Sequence, residues 1–94
     1  MAHWLYLLHP PRTTFADDMT DVEADAMSRH YVRLRDDSRV VLAGPVTDCT
    51  APGIVVFEAE DETEARDFMD GDPAVREGVV TATLHPFRLS LLKP

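Results

Sequence analysis

The chain has 94 residues, with 17 acidic against 9 basic side chains and a formal net charge of −8. That length fits a single domain, 1–94, and the carboxylate excess argues against nucleic acid or anionic membrane as partners, since both select basic surface. The lone cysteine, Cys49, excludes an internal disulfide and suits a reducing, cytoplasmic setting.

His3 to Leu8 is a short run rich in aromatics and leucine, ended by Pro10-Pro11, and reads as a strand. The stretch around it has no basic region and is too short for a signal peptide or a membrane span. Arg12 to Asp18 reads as loop. Thr20-Asp21-Val22-Glu23 has the T-x-x-E form of a capping box, so a helix starts there and runs to about Asp36, where Asp36-Asp37-Ser38 ends it. Val40 to Ala43 is a β-branched strand broken by Gly44-Pro45. Asp48 to Gly53 is turn chemistry, and Ile54 to Ala59 is a third strand. The acidic cluster from Glu58 to Glu64 reads as a strand-to-helix corner. Asp61 and Glu64 form a second cap pair for a helix from Glu62 to Asp70, with Gly71 as its C-cap. Asp72-Pro73 has the form of N-cap and N1 of a one-turn helix closed by Gly78. Val79 to Leu84 is the fourth strand, which His85-Pro86 interrupts. Phe87, Leu89 and Leu91 then alternate in an extended tail.

The order βαββαβ predicts an α+β, ferredoxin-like fold: a four-stranded antiparallel sheet in the order 4-1-3-2, with both main helices on one face. The first and third strands are the most continuously apolar, which suits central positions. The face without helices carries apolar residues too, so a homodimer through the sheet is expected.

At about 100° per residue, Met19, Val22, Ala26, Met27, His30 and Leu34 share one side of the first helix. His30 is therefore aimed at the core, where its ring needs a partner. It reads either as a core histidine bonded to backbone or as an acid/base, a role that an unperturbed pKa of ~6.5 suits. Glu23 shares that side, and the capping box is its preferred reading. His9 and Arg12 flank the exit of the first strand. Either they line a pocket mouth, where Arg12 meets a carboxylate or phenolate oxygen, or they lie in a solvated loop. His3 and His85 read as strand-end surface residues.

Other chemistries lack support. The four histidines show no metal-ligand spacing, so no metal and no cofactor is expected. Cys49, in a turn, has no neighbouring base, and Ser28 and Ser38 sit in no nucleophile elbow. Gly53-Ile54-Val55-Val56-Phe57-Glu58 lacks the basic and aromatic pattern of RNA-recognition strands. Ala43-Gly44-Pro45 ends a strand and cradles no phosphate.

An ordered set of segments resembles the YCII-related family: Trp4-Leu5-Tyr6-Leu7-Leu8-His9-Pro10-Pro11-Arg12, Thr14-Phe15, His30-Tyr31, Val41-Leu42-Ala43-Gly44-Pro45 and Gly53-Ile54-Val55-Val56-Phe57-Glu58, then Asp72-Pro73-Ala74-Val75, Gly78-Val79-Val80-Thr81-Ala82 and His85-Pro86-Phe87-Arg88. The resemblance implies a ferredoxin-like fold paired into a dimeric α/β barrel, similar to muconolactone isomerase. It implies a His–Asp active site, which falls on His30 and Asp72. One branch of the family resembles a cofactor-independent dehydrochlorinase of a hydroxylated aromatic compound. Two departures bear on pocket shape: Ala74 stands where some relatives carry an aromatic residue, and the stretch from His30 to Gly44 is about one helical turn short.

Two functions follow as expectations. One is a small cofactor-free enzyme in which His30 moves a proton during elimination or isomerisation of a small cyclic or aromatic compound, oriented by Asp72. The other is a non-catalytic dimeric module that binds a small ligand or assists a partner. Geometry separates them: an enzyme needs the two side chains within hydrogen-bond reach beside a cavity.

Overall fold

The two most apolar runs lie side by side at the centre of one sheet. A computed structural model describes residues 2–48 and 52–94. Its elements are β1 (Ala2–His9), α1 (Phe15–Asp18), α2 (Asp21–Asp36), β2 (Val40–Gly44), β3 (Gly53–Ala59), α3 (Glu62–Asp70), α4 (Pro73–Arg76) and β4 (Thr81–Phe87). The strand order is β2-β3-β1-β4 and every pairing is antiparallel. This is the expected ferredoxin-like arrangement. Cys49 and part of the expected turn from Asp48 to Gly53 lie outside the described residues.

Alternation along β1 and β3 sorts the side chains between two faces. Tyr6, Leu8, Val55, Phe57 and Ala59 turn inward and pack with Ala26 and Leu34 of α2 and Ala65, Phe68 and Met69 of α3. Both main helices therefore cover the same face. The rings of Tyr6, Phe57 and Phe68 form the centre, with Tyr6 edge-on to Phe57 at 5.6 Å. Leu5, Leu7, Ile54 and Val56 occupy the opposite face in register with one another. The register of β2 on β3 shifts between Val40 and Leu42. This irregularity sets Val40 opposite the inward Phe57 and Leu42 opposite the outward Val56. Leu42 is consequently 48% exposed on the uncovered face.

The helix starts form where short polar side chains satisfy free N–H groups. Thr20 accepts from the Glu23 N–H, and Glu23 Oε1 accepts from the Thr20 N–H at 2.9 Å, which completes the capping box. Asp61 caps α3 through the Glu64 N–H. Asp72 caps α4, with Pro73 behind it.

Several local expectations are corrected. The Arg12 to Asp18 segment contains the one-turn helix α1, closed over the buried Phe15. Val22 is 71% exposed, because it sits in the first turn of α2 beyond the edge of the core. Gly71 is the C-cap of α3 as expected, though with an ordinary φ of −80°; Gly78 is the glycine that needs its freedom, at φ 72°. Val79 and Val80 precede β4, and both donate to the Ala74 carbonyl. β4 then runs through His85-Pro86 to Phe87. It is an edge strand, whose unpaired side tolerates a missing N–H, so Pro86 does not stop it.

Candidate active site

α2 and α4 pack against each other, with the small Ala26 and Ala74 fully buried. Outside this contact, Arg29 of α2 forms a two-pronged ion pair with Glu77 at the end of α4. The contact brings His30, one residue along α2, to the N-cap of α4. His30 Nδ1 lies 2.6 Å from Asp72 Oδ2, and both side chains are almost fully enclosed.

Asp72 is saturated. Its Oδ1 accepts the Ala74 N–H at 3.0 Å, the helix-capping bond. Its Oδ2 accepts from His30 and from the Tyr6 hydroxyl at 2.6 Å. Burial pushes this carboxyl up, but the hydrogen bonds from His30 and Tyr6, the electrostatic pull of the His30 ring and the Ala74 N–H outweigh it. The result is a carboxyl below its ordinary value, held as the anion. Burial first, and then the neighbouring Asp72 charge, push the Tyr6 phenol far up, so it stays a donor. With an anion opposite it, Nδ1 of His30 is the nitrogen that carries a proton, an assignment that follows from the hydrogen-bond network. Among the described residues, the nitrogen left without a hydrogen-bond partner is Nε2.

His30 also lines a cavity of about 550 Å³ at the end of the sheet, between the exit of β1 and Gly44, Pro45, Val46 and Pro52 beside the ends of β2 and β3. That size lies in the range of small-molecule sites. Leu8, Phe15, Met19, Met27, Ile54 and Val80 supply much of the wall. Tyr31, on the same helix, sets its ring edge-on to His30 at 4.9 Å and lines the cavity as well.

Both flanking residues expected at the mouth reach it. His9 lines the cavity, with Nε2 3.3 Å from the Thr83 hydroxyl. Arg12 lines it too, but its guanidinium is engaged: Nε with Asp18 at 2.7 Å, one terminal nitrogen with Glu23 at 2.9 Å, the other with Glu23 at 2.7 Å and the Asp18 carbonyl at 3.0 Å. Arg12, followed by the Thr20 N–H, pulls the Glu23 carboxyl down to about 2. Glu23 thus caps α2 and holds Arg12 at once. His3 lies 3.6 Å from Glu58 and His85 3.0 Å from Thr83, both away from this cavity. Among the described residues, no three His, Cys, Asp or Glu side chains converge as a metal site.

Tyr6 is the member of this group that sequence reasoning places only as a sheet residue. A signal was present: a tyrosine buried in a central strand needs a partner for its hydroxyl.

No curated protein matches the chain. Among solved structures, it is similar to a 5-chloro-2-hydroxyhydroquinone dehydrochlorinase from Burkholderia phenoliruptrix, solved in complex with 2,5-dihydroxybenzoquinone. The identity is 18% and the TM-score 0.69, over 92% of this chain and 93% of that one; at that identity the likeness establishes the fold. The model of the YCII-related domain matches residues 4–85. The chain is a member of the YCII-related family.

Proposed function

We propose that this protein is a cofactor-independent acid/base catalyst acting on a small cyclic or aromatic compound. In this reading the Nε2 of His30 takes a proton from the bound compound. Elimination follows if a leaving group such as chloride departs with the electron pair. Isomerisation follows if the same nitrogen returns the proton at another carbon. Asp72 fixes the ring's tautomer and faces the imidazolium that forms, as the carboxylate does in a triad. The observation that carries the reading is the 2.6 Å contact between His30 Nδ1 and Asp72, beside a cavity that the same ring lines. The similarity in fold to a dehydrochlorinase adds support.

A second copy of the chain is proposed to cover the sheet face that carries Leu5, Leu7, Ile54 and Val56, in a cytoplasmic homodimer. The test of function is a turnover screen over chlorinated hydroquinones and lactones, run with the protein and with His30→Ala. Turnover that His30→Ala abolishes supports the catalyst. Turnover that survives intact removes His30 from the chemistry. Ligand binding without turnover of any compound favours the non-catalytic module.

A further inference from the structure

A ligand charge enclosed among apolar side chains needs an opposite charge to face it. Among the described residues, Arg12 is the one lysine or arginine lining the cavity, and no aspartate or glutamate lines it. Three of the Arg12 nitrogens already donate to Asp18 and Glu23, so two carboxylates share one guanidinium. The cluster at the mouth is therefore net negative. His30 offers an anion little more, because Asp72 already faces any charge on its ring. A cation fares no better. Asp18 and Glu23 are turned to Arg12, and Asp72 is completely enclosed behind His30. What the lining does offer carries no fixed charge beyond Arg12: the imidazoles of His30 and His9, Tyr31 and Thr13 are its other polar side chains among the described residues.

We propose that the cavity selects uncharged ring compounds bearing hydroxyl or carbonyl oxygens and turns carboxylates away, with Arg12 acting as a strut between α1 and α2 rather than as an anion receptor. The proposal rests on the reading of this cavity as the ligand site. It narrows that reading: lactones and rings that carry a free carboxylate are excluded as substrates, while their neutral counterparts are admitted.

The test uses two probes of nearly the same shape, 2,5-dihydroxybenzamide and 2,5-dihydroxybenzoate, titrated at neutral pH into the whole protein by calorimetry and by NMR of the His30 ring. The amide is expected to bind at least about tenfold more tightly than the carboxylate, the scale of an unpaired charge partly removed from water. Equal or tighter binding of the carboxylate overturns the proposal while leaving the ligand site standing. Failure of both probes to bind removes the ligand site, and the proposal with it. Glu23→Gln releases one arm of Arg12 and neutralises the mouth, so the preference for the amide should narrow. A preference that stays unchanged in this variant overturns the role given to Arg12.

Discussion

Tyr6 on the central strand and His30 on the long helix share one acceptor: each places its polar atom 2.6 Å from Oδ2 of Asp72. The phenol sits inside the aromatic core, against Phe57 and Phe68, so the sheet itself holds the carboxylate in place. Removing the hydroxyl in Tyr6→Phe deletes a hydrogen bond to a charged group, worth about 1.5–3 kcal/mol of stability. It also removes one of the bonds that lower the Asp72 carboxyl, which should therefore rise. Denaturant melts and carbon-detected titration of Asp72 would register both effects. An unchanged carboxyl in a folded variant would deny Tyr6 any part in tuning the pair.

Asp72→Asn keeps a competent helix cap, since Asn is as good an N-cap as Asp. The single amide oxygen is expected to stay with the Ala74 N–H, which turns the NH₂ toward His30. The ring must then accept at Nδ1 and carry its proton on Nε2, the wrong tautomer for a base facing the cavity. Nitrogen chemical shifts of the neutral ring read this directly. A ring that keeps its proton on Nδ1 would show that Asp72 does not set the tautomer. Any turnover found in a substrate screen should fall by orders of magnitude in this variant.

Glu23 carries an acid-sensitive share of stability. Its carboxyl is lowered from 4.5 to about 2 by Arg12 and the Thr20 N–H. A group lowered on folding stabilises the native state above its unfolded value, and that contribution fades as pH falls through the folded one. The stability it adds is thus present above about 4.5 and lost toward 2. Asp72, also lowered, loses its share on the same acid side. Glu23→Gln should flatten the stability curve between those two pH values and leave its slope above pH 5 unaltered. Thermal melts across that range settle the point: a slope identical to that of the parent chain contradicts the ion pair.

The uncovered sheet face sets the expectation for assembly. Leu7 lies at its centre, between Ile54 on one side and Thr83 on the other. Sedimentation at micromolar concentration should give a dimer for the parent chain and a monomer for Leu7→Arg, with similar circular dichroism. A parent chain that sediments as a stable monomer refutes pairing through this face.

What the sequence disclosed follows from the range of each interaction. Thr20 with Glu23, Asp61 with Glu64, and Asp72 with Pro73 act within three residues, so the helix starts were legible without a fold. The apolar continuity of Trp4 to Leu8 and of Ile54 to Phe57 announced the central strands. Val79 and Val80 have the composition of a strand, but they bend back to the Ala74 carbonyl, a contact no alternation pattern encodes. Phe15 closes its one-turn helix by burial against the rest of the chain, which a loop-like composition conceals. At the site, helical spacing aimed His30 inward, while only the family resemblance joined it to Asp72, 42 residues away. The Tyr6 hydroxyl bridges 66 residues and left no local mark beyond its own need for a partner.

The two oxygens of Asp72 have separate duties, one to start a helix and one to hold a ring. At an ordinary helix start Ser, Thr and Asn would do as well, and drift among them would be free. Here none of the three offers a second oxygen carrying the same charge. Position 72 is thereby restricted to an acid short enough to cap. A lineage that abandoned the chemistry would regain the wider alphabet at this residue only once Tyr6 and His30, whose buried polar atoms share Oδ2, had changed as well.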